Sequence, residues 1–371
     1  MNNFLTAFLV GESLLLCFLL YFHPLKQNAK ANKWLSLFAF ILGTAFIGNY
    51  LDEFGLGESY KFVIKLINSL QFLLAPSIYI SILYFVHPTS KIKIHYWFHF
   101  LPFFIFAVIE NLLFFSKESI STKTLFEIGE TAFYVRDLLP FQLLAYLFVS
   151  YRALARHNIH LQLITSATQN INLKWLKLLL LISIFPVLFW INDALGIFPI
   201  LVNLNRFIYS ISILFLAHFA MKQVAIFPFE NKELEEIAEV LSEPNETIKP
   251  RRLSNEQIVE LSARLDNLMK NDKIFLDNEI NLATVAEKLG VSIHDTSFLI
   301  NEVTGSNFYN LINRHRVEEA KNLLTSAKMD KLNMLGIAFE SGFNSKTTFN
   351  TAFKKFAGIS PSEYAKRQKN L

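Results

Sequence analysis

Apolar residues fall along this chain in two regimes. Over 1–222 they form long, nearly unbroken runs; from 254 onward they recur three and four positions apart with polar residues between. Seven runs are long enough, or nearly so, for a bilayer core that needs about 20 helical residues: Phe4–Phe22, Trp34–Leu51, Phe62–Val86, Tyr96–Phe115, Arg136–Tyr151, Trp175–Leu195 and Leu204–Met221. The pattern predicts an all-α chain: a seven-transmembrane-helix bundle over 1–222, a polar linker over 223–253 and a soluble helical domain over 254–371. The first run carries Glu12 and has no basic leader, so it reads as a retained helix and not as a signal peptide. Pro140 suits a first helical turn, and Pro76 and Pro186 are expected to kink their helices. In the linker, Asn231–Ser242 can form a short helix with Leu234, Ile237 and Leu241 on one stripe and Glu233, Glu235, Glu236 and Glu239 elsewhere. Ser254-Asn-Glu-Gln257 has the form of a capping box. The helix it starts carries Ile258, Leu261, Leu265 and Leu268 on one face, for packing on its own domain or for a dimer seam or coupling element.

Charge gives the first half a direction. The loops after the first, third and fifth runs carry Lys26, Lys30 and Lys33, then Lys91 and Lys93, then Arg152, Arg156 and Lys174. The second loop is acidic, with Asp52, Glu53 and Glu58. Basic loops stay in the cytoplasm, which places the N-terminus outside and the soluble domain inside. The whole chain is 52% hydrophobic and only 18% charged, below the usual quarter for a soluble domain. Its net charge of +4 is too mild to prove a nucleic-acid partner by itself. Cys17 is the single cysteine, which excludes a disulfide within the chain.

The soluble half contains one local design twice. Leu282-Ala-Thr-Val-Ala-Glu-Lys-Leu-Gly290-Val-Ser292 and Met334-Leu-Gly-Ile-Ala-Phe-Glu-Ser-Gly342-Phe-Asn-Ser345 each place a small Ala (Ala286, Ala338) four residues before a Gly. An apolar residue and a capping Ser follow, and then a second helix. That is helix-turn-helix chemistry: the Gly takes a backbone conformation a side chain would penalise, and the Ala lets two helices approach. The second copy continues through Lys346-Thr-Thr-Phe-Asn-Thr-Ala-Phe-Lys-Lys-Phe-Ala-Gly-Ile-Ser-Pro-Ser-Glu-Tyr364, and Phe308–Leu324 forms a long segment between the copies. This region, about a third of the chain, resembles the C-terminal DNA-binding domain of AraC-type transcription regulators.

The resemblance implies a long helix joining two helix-turn-helix units, binding to double-stranded DNA, and a dimer or paired half-sites. Carried over, Ser345, Lys346, Thr347, Thr348, Asn350 and Thr351 face the groove or its rim, and Lys354 and Lys355 match a basic pair suited to phosphate. Many members have Arg at the place of Thr351, and a basic residue at the place of Phe298 in the first unit, where His294, Asp295 and Ser297 remain as possible contacts. Arg314 and Arg316 in the linking segment either touch phosphate or pair with Glu318 and Glu319. Six bases stand against one acid over 342–371, whereas Asn281–Val303 holds Lys288 against Glu287, Asp295 and Glu302. The second unit is therefore expected to carry more of the affinity.

Within the bundle, polar residues crowd toward the outer side, and Glu12, Lys65, Gln71, Glu110, Asp137, Asp193 and Arg206 outline a candidate sensor pocket for an unknown small ligand. A structural polar network, or interfacial placement of the outermost of them, is the competing account. His95 and His99 stand at helical spacing but lack a third ligand, so no metal or other cofactor is expected. No GxSxG, HExxH, P-loop or GxGxxG motif is present, and an enzyme is not expected. The reading is a membrane-bound, sequence-specific DNA-binding transcription regulator, embedded in a bacterial cytoplasmic membrane with its DNA-binding domain in the cytoplasm. The alternative is a transporter or channel with a regulatory helix-turn-helix domain.

Overall fold

The computed structural model describes residues 2–23, 28–87, 94–116, 138–167, 171–195, 200–227, 231–242, 253–325 and 332–369. Among them the structure is helical, with a single isolated antiparallel bridge, Thr165 to Asn281, in place of any sheet. The chain divides into two compact units, residues 1–155 with 173–226, and residues 156–172 with 227–371.

The first unit contains α1 (Asn2–Tyr21), α2 (Ala29–Glu53), α3 (Lys61–Leu70), α4 (Leu74–Val86), α5 (Leu101–Ser116), the first part of α6 (Leu139–Ile164), α7 (Lys174–Ile182), α8 (Ile184–Leu195) and α9 (Ile200–Lys222). Among the described residues four stretches are long and apolar enough to cross a bilayer: Phe4–Tyr21, Ala29–Leu51, Lys61–Val86 and Lys174–Asn192. Tyr96–Val108 is a shorter apolar helix. The remaining runs are helical too, as α6 and α9, but they mix polar residues into their length: Arg152, Arg156, His157 and Asn158 in α6, and Asn203, Asn205 and Arg206 in α9.

The prolines act where the sequence puts them. Pro76 lacks the N–H that would reach the Phe72 carbonyl, and the helix tightens into a 3₁₀ turn over Gln71–Leu73. The Gln142 side chain donates to that Phe72 oxygen at 3.3 Å, so α6 supplies the missing donor. Pro186 stands four residues after Ile182, where α7 ends. Pro140 is the second residue of α6, where no helical N–H is lost.

The second unit holds α10 (Asn231–Ser242), α11 (Asn255–Lys270), α12 (Leu282–Leu289), α13 (Ile293–Thr304), α14 (Phe308–Thr325), α15 (Met334–Glu340), α16 (Lys346–Ala357) and α17 (Pro361–Lys369). It has two apolar cores. One gathers Leu261, Leu265, Met269, Val285, Leu289, Leu299 and Ile300; the other gathers Ile337, Phe343, Phe349, Phe353 and Ala365. Helix α14 belongs to both, giving Phe308, Leu311 and Ile312 to the first and Val317, Ala320 and Leu324 to the second. The capping box at Ser254 and Gln257 is formed, and the apolar face of α11 packs into its own domain's core.

Candidate nucleic-acid interface

Both copies of the repeated motif fold by the same local chemistry. Asn281 and Asn333 cap α12 and α15 by accepting from the Thr284 and Gly336 amides. Ser292 and Ser345 cap α13 and α16 by accepting from the Asp295 and Thr348 amides. Ala286 and Ala338 are buried at the helix contacts. Gly290 (φ +71°) and Gly342 (φ +86°) take the left-handed turn. They differ in surroundings: a Cβ on Gly290 would meet open space, whereas one on Gly342 would stand 2.5 Å from the Phe275 carbonyl oxygen and 3.0 Å from Arg316 Nε.

Helix α16 presents a continuous open stripe. Lys346, Thr347, Asn350, Thr351, Lys354 and Lys355 are exposed, Ser345 is half-buried in its cap, and Thr348 is mostly buried beneath the stripe. Phe349 and Phe353 point the other way and are fully buried. Exposed Arg314 on α14 stacks over the Phe356 ring at 5.8 Å, and Lys355 lies 5.5 Å from the same ring while its Nζ donates to Asn310 Oδ1 at 2.8 Å. Among the described residues none of Lys346, Lys354, Lys355 and Arg314 forms an ion pair, so the patch keeps its positive charge.

Arg316 is placed differently from its neighbour. It is 1% exposed; Nε donates to the Phe275 carbonyl and Nη2 to the Asp277 carbonyl, both at 2.7 Å, and the guanidinium lies 5.7 Å from the Phe343 ring. Burial pulls its pKa down to about 10, which leaves it charged at neutral pH. Neither arginine pairs with Glu318 or Glu319: those carboxylates accept from Lys321 and Lys273. Sequence reasoning offered Arg316 to phosphate or to a carboxylate, and the structure gives it to two main-chain carbonyls of the turn before α12.

The N-terminal part of the equivalent stripe of α13 is closed, whereas Asn301 and Glu302, at the places of Lys354 and Lys355, are exposed. Counting from the Ser caps, Ile293 corresponds to Lys346, Ser297 to Asn350 and Phe298 to Thr351. Ile293 is 4% exposed, Phe298 packs against the first core, Ser297 is half-buried, and the side chains of His294 and Asp295 keep only 12% and 21% exposure. What closes it is α10. This helix packs along α13, buries Ile237, Val240 and Leu241 in the first core, and places Glu236 Oε2 3.0 Å from the Ile293 amide, which donates to it. The segment 156–167 joins in: Leu161 and Ile164 enter the same core, Thr165 bridges to Asn281, and Ser166 Oγ donates to the Ile280 carbonyl at 3.1 Å. The sequence showed the apolar stripe of α10 but not its partner.

In the first unit of the chain, Glu12 Oε1 accepts from Ser210 Oγ at 3.1 Å, Gln71 donates to Asn68, and Lys65 and Arg206 are half-buried. Asp137 and the side chains of Glu110 and Asp193 lie outside the described residues. An apolar cavity of about 90 Å³, lined among others by Phe38, Ile78, Tyr146, Trp190, Tyr209 and Leu216, is bounded by none of Glu12, Lys65, Gln71 and Arg206.

Comparison with known proteins bears on the C-terminal part. A family described as a helix-turn-helix domain matches residues 285–367. An uncharacterized HTH-type transcriptional regulator of Pseudoalteromonas carrageenovora is 31% identical over 104 residues, 26% of this chain and 58% of that protein, so the chain spans less than two thirds of that relative. The C-terminal domain of AraT, a response regulator from Geobacillus stearothermophilus, shares 35% identity over 31% of this chain and 88% of its own, with a TM-score of 0.26. The chain thus carries, over residues 285–367, a helix-turn-helix domain of the AraC type.

Proposed function

We propose that this protein is a membrane-embedded transcription regulator that reads double-stranded DNA with its C-terminal domain, as a homodimer or on paired half-sites. The observation that carries the reading is α16: a capped helix with a row of open polar side chains, flanked by Lys354, Lys355 and Arg314, which form no ion pair among the described residues, on a domain of the AraC type. Such a helix fits a major groove, with Lys346 and Asn350 toward base edges and the lysine pair toward phosphate. Seven transmembrane helices over 1–222, with the N-terminus outside, put this domain in the cytoplasm beside DNA; the basic odd-numbered loops support that topology. The bundle senses a ligand or the state of the membrane, and the linker over 223–253 passes the signal to the domain over 254–371. The test is chromatin pull-down of the intact protein with sequencing. Recovery of a defined set of sites sharing one sequence pattern is expected; recovery of DNA without any enriched pattern would sink the proposal.

A further inference from the structure

We infer that α10 and the segment 156–167 form an autoinhibitory clasp on the first helix-turn-helix unit, so that the resting protein reads DNA with its second unit alone. The inference rests on the DNA-reading function proposed above.

A recognition helix enters the groove with its N-terminal residues leading. In α13 that end is occupied: the Glu236 carboxylate accepts from the amide of Ile293, the first residue of the helix. A carboxylate there is attracted to the positive end of the helix just as a phosphate would be, and it holds the same donor. The rest of α10 adds like charge through Glu233 and Glu235, which disfavours an approaching backbone phosphate. The segment 156–167 closes the other helix of the motif, binding at Ile280 and Asn281, the start of α12.

The two copies of the motif show that this cover is specific to one of them. Where α16 has exposed Lys346 and Thr351, α13 has Ile293 and Phe298, apolar and turned to packing. Apolar side chains on a groove-facing stripe make sense when a protein helix, and not DNA, is the resting partner. Asp295 Oδ1 is buried and accepts no hydrogen bond among the described residues, lying 3.8 Å from His294 Nδ1. Opening would expose His294, Asp295 and Ser297, which are groups able to contact base edges. Both parts of the clasp are continuous in the chain with helices of the other unit, 156–167 with the first part of α6, and α10 with α9 through 223–230.

The test uses the full chain in lipid nanodiscs and a pool of duplexes randomised over about two helical turns. Enriched duplexes are footprinted with hydroxyl radicals. Wild type is expected to protect one major-groove segment. Glu236→Gln combined with Ile237→Asn is expected to protect two adjacent segments and to bind at least about fivefold tighter. Two segments protected equally by both proteins would overturn the clasp, and so would one segment protected equally by both, since α10 would then be a fixed part of the core. If the double variant does not fold, amide hydrogen exchange of wild type decides. Residues 231–242 are expected to exchange faster in the free protein than the core helices α11, α14 and α16, and protection equal to theirs overturns the inference. Failure of wild type and variant alike to retain any duplex overturns the DNA-reading function itself.

Discussion

The two helix-turn-helix copies share a backbone and differ in what their surfaces face. Caps, turn glycines and contact alanines are the same in kind, so the folding instructions are duplicated. The stripe that looks outward is not: cationic and open along α16, but partly apolar and covered at the N-terminal end of α13. Local structure is set by a few residues at fixed spacing, and the remaining positions are left to specialise. The difference teaches that a motif's presence and its availability are separate facts.

Arg316 is where the comparison breaks most easily, because it links the turn before α12 in the first copy to the Gly342-Phe343 turn of the second. Arg316→Leu removes two charge-assisted hydrogen bonds and leaves the Phe275 carbonyl unmatched and the Asp277 carbonyl with the Ile280 amide, a loss of about 3–5 kcal/mol. Chemical denaturation should then show separate transitions for the two cores. Arg316→Lys should rescue little, because one ammonium on a flexible stem does not reproduce the forked donor geometry. A variant as stable as wild type would mean the two copies are independent.

The glycines sharpen the comparison at a single atom. Gly342→Ala adds a clash with main chain to the left-handed penalty and should cost about 2–4 kcal/mol, whereas Gly290→Ala meets open space and should cost about 1 kcal/mol. Equal shifts in unfolding midpoint would show that the close approach at Gly342 relaxes freely. A smaller effect is expected in binding: Lys354→Ala with Lys355→Ala should weaken affinity for all duplexes about tenfold and reduce the salt slope by about 2. His294→Ala with Ser297→Ala should change wild-type binding far less. The reverse ranking, read by fluorescence anisotropy over a salt series, would make the first unit dominant.

The smallest effect concerns pH. His315 on α14 stacks on Phe275, and burial lowers its pKa, with Asp266 pulling the other way. The folded state therefore binds its proton less readily than the unfolded chain. The stabilisation is fully present above the ordinary histidine range, near pH 6.5, and declines as pH falls through that value toward the lower folded pKa. His315→Gln should flatten that decline in a pH series of thermal midpoints; an unchanged profile would show that His315 takes up its proton equally in both states.

What the sequence made legible follows distance along the chain. Ser345, Gly342 and Ala338 lie within eight residues of one another, and their joint meaning is local. The prolines and the long apolar runs are readable for the same reason. Arg316 was opaque because a guanidinium suits phosphate, carboxylate and main-chain carbonyl alike; only the turn at Phe275–Asp277, some forty residues earlier, decides among them. Glu236 was opaque because its partner is an amide, a group every residue has. Phe298 did carry a signal: an apolar residue at a position expected to be basic marks a covered surface.

The second unit is discontinuous, and that bears on how it could ever be detached. A single cut between 243 and 252 would sever the covalent path from α10 to α11. It would not by itself set the domain loose, since 156–167 and α10, both on the upstream fragment, still hold it through Thr165, Ser166 and Glu236. Scission and release are two events in this topology, and a protease controls only the first.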